Sequence, residues 1–170
     1  MSQSSPLPTR SLLKATRISY QCSAKFDTVL DRLYAEVGAS PVHISSVSDG
    51  HSLTEFADEV HKYVEKSDFM LFQIFNHGDW IKKFGVEHRA VRVIIGNPLI
   101  AITMMKHDIT AGLFVPVELY IDAVVGQPGC RLTYLLPSSL IATAENPELT
   151  AAAEALDAKL SVLVKKVVGG

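Results

Sequence analysis

The stretch RVIIGNPLIAITMMKHDITAGLFVPVELYID, residues 92–122, decides how this chain is interpreted. It places a tight Gly96-Asn97-Pro98 turn, two adjacent methionines and several amide or ionisable groups between runs of apolar residues. Polar groups set beside apolar strands are typical of a small-molecule site. No run in the sequence matches a known catalytic or metal-binding motif, so the pattern indicates a fold class and a site but no reaction.

Apolar runs on both sides of this turn predict an early strand and then a meander of strands. The predicted strands are residues 12–22, 69–75, 89–95, 99–105, 113–122 and 131–136. Because Pro98 disfavours helical angles at Asn97, residues 99–105 are expected to continue as strand. In residues 113–122, apolar and polar side chains alternate, and Pro116 cannot donate to a neighbouring strand. The sequence therefore predicts that this strand is an edge strand or carries a bulge at Pro116.

Three amphipathic helices are predicted from periodicity and capping residues. The first follows Ser23 as N-cap and closes at Gly38. The second opens with the capping box Ser52 to Glu55 and lies within residues 52–66. The third begins at Asn146-Pro147 and carries an apolar stripe along its length. Strands flanked by helices in this order predict an α+β fold, an antiparallel sheet with helices packed on one face.

Composition excludes several classes of protein. With 48% hydrophobic and 20% charged residues, the chain can bury a large core. A net charge of −2 with scattered Lys and Arg argues against nucleic acid as a partner. No apolar run reaches the roughly 20 residues of a membrane span, and the N-terminus is not a signal peptide. We expect a cytoplasmic protein with a flexible tail at residues 1–10 and one domain at residues 11–168. Reduced Cys22 and Cys130 are expected, and a disulfide between them stays open from the sequence.

The chain carries a series of short motifs in a fixed order: Asn76-His77, Gly96-Asn97-Pro98, Thr103-Met104-Met105, Ala111-Gly112-Leu113, Val115-Pro116-Val117 and Tyr134. Their order resembles that of the domain-of-unknown-function 302 family. The resemblance covers about residues 12–167 and implies a single β-α-β(4)-α unit related to the TATA-box-binding-protein-like fold, often as a homodimer. It implies no established activity. This chain departs from the pattern by inserting the helix within residues 52–66 and by carrying Lys106-His107-Asp108 and Glu118.

Six residues are candidates for contact with a ligand because their side chains are polar or adaptable within apolar surroundings. They are His77, Asn97, Met105, His107, Glu118 and Tyr134. Buried polar side chains need partners, so we expect His77, Asn97 and Tyr134 to line one cavity between the sheet and the C-terminal helix. A methionine would form its soft wall and Glu118 its rim. Each residue also has a purely structural interpretation, as a turn residue, a core residue or a solvated side chain.

Three functions remain open from the sequence. The preferred one is a binding module for a small, mostly apolar molecule held between sheet and C-terminal helix. The second is a cofactor-free isomerase, lyase or hydrolase that uses His77 with Glu118 or Tyr134 as acid and base. The third is a structural homodimer without a ligand, which pairs edge strands or packs its extra helix against its partner. We expect no cofactor and, because His77, His107 and Glu118 lack ligand-like spacing, no metal.

Overall fold

A computed structural model describes residues 8–48, 52–142 and 145–169 of the chain. Its five strands are β1 (Arg17–Cys22), β2 (Met70–Asn76), β3 (Ala90–Gly96), β4 (Val117–Ala123) and β5 (Cys130–Leu135). Its helices are α1 (Phe26–Val37), α2 (Ser45–Ser48), α3 (Leu53–Tyr63), α4 (His77–Ile81), α5 (Pro98–Met105), α6 (Ser138–Ile141) and α7 (Pro147–Gly169). Two 3₁₀ turns, Lys82–Phe84 and Ile109–Leu113, follow α4 and α5. The predicted flexible tail falls mostly on residues 1–7, which lie outside the described residues.

The strands form one antiparallel sheet in the order β1-β5-β4-β3-β2. With α1 after the first strand and α7 after the last, the chain is a β-α-β(4)-α unit to which α3 and several short helices are added. This confirms the predicted α+β class with an antiparallel sheet.

The core lies between one face of the sheet and the two long helices. In β4, Val117, Leu119 and Ile121 are buried while Glu118 and Tyr120 are exposed, as a strand covered on one face requires. The covering helices bury a stripe each. We call the other side of the sheet, with Arg92, Tyr120 and Thr133, the open face. These three residues are directly opposite one another in neighbouring strands and so share a face.

The predicted helix boundaries are confirmed where the signals were local. The Ser52 hydroxyl accepts from the backbone N–H of Glu55, and the Glu55 carboxylate accepts from the N–H of Ser52, which completes the capping box. Asn146 accepts the N–H of Leu149 at 2.9 Å, ahead of Pro147. Gly38, at φ 87°, ends α1 with its N–H bonded to the Tyr34 carbonyl. Ser23 is not the N-cap of α1, because the helix starts at Phe26 after an extended Lys25.

The predicted strand at residues 99–105 is wrong, because this segment is helix α5. The Asn97 side chain accepts the Leu99 N–H at 2.8 Å and caps the helix, and Pro98 occupies its first turn. Proline fits that position, where no intrahelical donor is needed. Pro98 does keep Asn97 extended, at φ −151° and ψ 121°. The extended Asn97 is the cap of a helix, whereas the sequence predicts that the strand continues after it.

The edge position predicted for Pro116 is also wrong. β4 starts at Val117, one residue later, and pairs with β3 on one side and β5 on the other. The edges of the sheet are β1 and β2. The early strand is likewise shorter than predicted, since it starts at Arg17. The argument that led from Pro116 to a homodimer therefore no longer applies, and the homodimer stays a prediction.

Candidate functional site

A cleft of about 510 Å³ opens at the end of the sheet where β2 and β3 meet α5. We call it the apolar cleft. Its walls come from residues 42–44, β2 and β3, the Gly96–Met105 segment, residues 112–117 and Leu156 of α7. The lining residues are Val42, His43, Ile44, Phe69, Phe72, Gln73, Ile94, Gly96, Asn97, Pro98, Ile100, Ala101, Met104, Met105, Gly112, Val115, Pro116, Val117 and Leu156.

The walls of the cleft meet at two glycines, which side chains of other segments approach closely, and at one backbone hydrogen bond. A β-carbon on Gly96 would lie 2.9 Å from the Phe72 ring and 3.0 Å from the Pro116 β-carbon, so only glycine lets these side chains meet here. A β-carbon on Gly112 would lie 3.0 Å from the Met105 methyl. Across the mouth, the N–H of Val42 donates to the Leu71 carbonyl at 2.8 Å and ties residues 42–44 to the sheet edge.

The polar atoms inside the cleft are already paired. Asn97 is 8% exposed, its oxygen caps α5, and its amide nitrogen donates to the Asp68 carbonyl at 2.9 Å. His43 and Gln73 are the other polar side chains of the lining, and both are exposed. Among the residues that the structure describes, the lining contains no Asp, Glu, Lys or Arg. Such a cavity suits a ligand with an apolar body.

The predicted site residues do not converge on one cavity. Asn97 and Met105 line the apolar cleft. Glu118 and Tyr134 line a separate hollow of about 400 Å³ beside Arg17 and Leu140. His77 and His107 line neither of these two cavities. The expected cavity between sheet and α7 is not formed by these residues, because most of the inner face of α7 is packed into the core and only Leu156 reaches the cleft.

His77 and Tyr134 lie on opposite faces of the sheet. Thr133 pairs with Tyr120 on the open face, so its neighbour Tyr134 points to the helix side, where burial raises its pKa to about 12, with Tyr20 and Asp157 adding to the shift. The His77 ring lies on the open side, with its centroid 6.0 Å from that of Tyr120. These two side chains cannot act together as an acid and base pair.

Of the remaining polar candidates, Glu118 and His77 have structural partners and His107 is exposed. Glu118 is bound by Arg92 through two hydrogen bonds, one of them 2.8 Å long, and this pair spans neighbouring strands. The Nδ1 atom of His77 accepts the Trp80 indole N–H at 3.2 Å. Asp108 accepts from the Thr110 N–H at 2.8 Å and caps the following 3₁₀ turn, so it does not orient the exposed His107. None of these contacts builds an acid and base centre around a cavity.

Several cleft residues escaped sequence reasoning. His43 and Ile44 lie in a segment that was interpreted as an ordinary loop, and no periodic pattern distinguishes them. Phe72 and Gln73 lie within the apolar run that predicts strand β2, so the pattern does not distinguish them as site residues. In the structure, this strand contains a register shift between Leu71 and Gln73. Ala101 was placed in a strand. The paired glycines and methionines of residues 96–112 were the one sequence signal near the cleft.

Cys22 and Cys130 are opposite each other in β1 and β5 as free, buried thiols. Burial raises the pKa of both, that of Cys130 to about 12.

Across residues 8–48, 52–142 and 145–169, no three acidic, His or Cys side chains are grouped as metal ligands. Within the same ranges, no helix is long and apolar enough to cross a membrane.

The fold and the cleft define a small, single-sheet α+β protein with a candidate ligand site. Residues 43–167 match the model of the family described as Domain of unknown function DUF302. Because the match spans well over half of the chain, the protein belongs to this family, as the motif order predicted.

A similar solved structure is the crystal structure of uncharacterized conserved protein DUF302 from Bacillus stearothermophilus, with a TM-score of 0.62 and 15% sequence identity. The comparison covers 88% of this chain and 96% of that chain, and at this identity it shows the fold alone. Among curated proteins, no sequence matches this chain.

Proposed function

We propose that this DUF302 protein binds a small, mostly apolar molecule in the apolar cleft. The observation that carries the proposal is the cleft itself, which combines a volume of about 510 Å³ with an apolar lining. Ligand sites typically have volumes of about 300–1,000 Å³ and few, well-placed polar groups. Burial of apolar surface would supply the binding free energy, at about 25 cal/mol per Å².

The methionines favour binding over a purely structural gap. Both Met104 and Met105 line the cleft, Met105 partly exposed and Met104 fully buried. Methionine side chains are flexible and polarisable, so they adapt to ligands of different shape. An enzymatic role for His77 with Glu118 or Tyr134 is not supported by the geometry, because Glu118 is paired with Arg92 and Tyr134 lies on the other face.

A filled-cleft variant tests the proposal. Ala101 lines the cleft from α5, so Ala101→Phe should occupy part of its volume. Ala155 is exposed on α7 and is not part of the lining, so Ala155→Phe is the matched control. The probe is N-phenyl-1-naphthylamine, a neutral fluorophore whose emission rises in apolar surroundings.

We expect saturable binding of one probe molecule to the wild type and to Ala155→Phe. Ala101→Phe should weaken binding by roughly tenfold or more, a loss of at least about 1.4 kcal/mol. Circular dichroism must show that both variants are folded. Equal binding by the two variants would mean that the fluorophore sits elsewhere, and the proposal would be wrong. Native mass spectrometry of the protein as purified checks independently for a retained small molecule.

A further inference from the structure

Three features of the apolar cleft determine which ligand chemistry it accepts: the charge of its lining, the state of its backbone donors, and the position of its free polar groups. All three lead to one conclusion, which rests on the proposed function and narrows the class of ligand that the cleft would bind. We infer that the cleft selects uncharged ligands, with an apolar body inside and a neutral hydrogen-bonding group at the mouth beside His43 and Gln73.

The first step concerns charge. Of the lining side chains in the described part of the chain, none is Asp, Glu, Lys or Arg. Two ion pairs lie next to lining residues in sequence: Arg92 is joined to Glu118 by two hydrogen bonds on the open face, and Lys159 donates to Asp68 at 2.6 Å. Burying an ionised head group without a partner is costly, because the group loses its hydration and gains nothing in exchange. A carboxylate or an ammonium that entered the cleft would meet this penalty.

The second feature is the N-terminus of α5. Free backbone N–H groups at a helix N-terminus normally bind an anion. The first turn of α5 has no free N–H group. Pro98 has no N–H, the Leu99 N–H donates to the Asn97 side chain, and those of Ile100 and Ala101 donate to the Asn97 carbonyl at 3.0 and 2.9 Å. The buried Asn97 amide donates to the Asp68 backbone carbonyl at 2.9 Å. The N-terminus of α5 beside the cleft therefore has no free backbone N–H group with which to bind a phosphate or a carboxylate.

The third step concerns the mouth. His43, in residues 42–44, and Gln73, in β2, are exposed residues of the lining. A glutamine amide offers both donors and an acceptor, and a neutral imidazole offers one of each. These groups fit a hydroxyl, an amide or a ketone. They provide no fixed charge for an ionic head group.

Three ligands with the same tail test the inference. Decanol, decanoate and decylammonium share a ten-carbon chain and differ in head-group charge. Each is added as a competitor to the wild-type protein with bound N-phenyl-1-naphthylamine, at mildly alkaline pH and below its micellar concentration. We expect decanol to displace the fluorophore at roughly tenfold lower concentration than either ion, equivalent to about 1.4 kcal/mol.

The mouth is tested with Gln73→Ala. Its control is Gln21→Ala, an exposed glutamine of β1 that is outside the cleft lining. Loss of a hydrogen bond worth about 0.5–1.5 kcal/mol should weaken the binding of decanol by roughly two- to tenfold in Gln73→Ala. The control variant should bind decanol as the wild type does. Equal decanol affinity in the two variants would overturn the assignment of the polar group to Gln73.

The outcomes separate the inference from the proposed function. If the fluorophore binds but decanoate or decylammonium competes as well as decanol, the cleft binds ligands without selecting for charge, and only the inference is wrong. If neither the fluorophore nor any of the three amphiphiles binds, the proposed function is wrong and the inference falls with it.

Discussion

Replacing Asn97 with alanine should destabilise the protein by about 2 kcal/mol, although the residue lines the cleft. Its side chain makes two hydrogen bonds in a buried position. The first caps α5 at Leu99, and loss of an N-cap costs typically about 1 kcal/mol. The second holds the carbonyl of Asp68, a residue with φ 65° two positions before β2 begins, and is worth about 0.5–1.5 kcal/mol.

A serine at the same position separates the two contributions. Asn97→Ser keeps an oxygen that can accept the Leu99 N–H, because serine is among the best N-cap residues. Its shorter side chain lacks the amide that donates to Asp68. We therefore expect Asn97→Ser to lose about half as much free energy of unfolding as Asn97→Ala.

Urea unfolding measures the effect. Far-ultraviolet circular dichroism follows the helices, and fluorescence follows Trp80, the sole tryptophan, at the far end of β2 from the cleft. Coincident transitions and an unchanged m-value would establish that the free energies can be compared. A loss below about 0.5 kcal/mol in Asn97→Ala, well short of the summed hydrogen bonds, would refute this account. An equal loss in Asn97→Ser would refute the division between cap and donor.

Further predictions concern the core, alkaline pH and assembly. Leu160→Ala should cost about 2–5 kcal/mol in urea unfolding because Leu160 is 0% exposed, whereas Val162→Ala, at a position 69% exposed on the same helix, should change stability little. Burial raises the pKa of Tyr134 from 10.0 to about 12, so its contribution to stability is complete below pH 10 and is lost as the pH rises to 12. Tyr134→Phe should flatten that decline in the free energy of unfolding, and an unchanged slope would contradict the assignment. Sedimentation equilibrium should give a homodimer, and a single 18.5 kDa species would contradict this prediction.

The sequence by itself determined the elements whose signals are local. The stripe of α7, its Asn146 cap and the Ser52 capping box depend on residues within a few positions of one another, and all three are formed as predicted. The alternation of β4 likewise identified which of its residues face the helices. Together with the motif order, these signals were sufficient for the α+β class and the family.

Helix α5 shows where local signals fail. Its residues PLIAITMM are apolar on nearly every side, so they present no stripe from which a helical period can be recognised. The proline that was interpreted as a break between two strands instead begins the helix, because Asn97 caps it from an extended backbone. Which of these outcomes holds depends on where the segment packs, next to α7 and residues 109–113, and not on its own propensity.

The candidate site was decided by tertiary structure. Its walls combine residues 42–44, the segment from Gly96 to Met105, residues 112–117 and Leu156, which are far apart along the chain. Tyr134 and His77 were both polar at apolar strand positions, yet pairing of β4 with β5 puts Tyr134 on the helix side while His77 contacts Tyr120 on the open side. A shift of one residue in strand register exchanges the two faces, so long-range pairing determines which polar side chains meet.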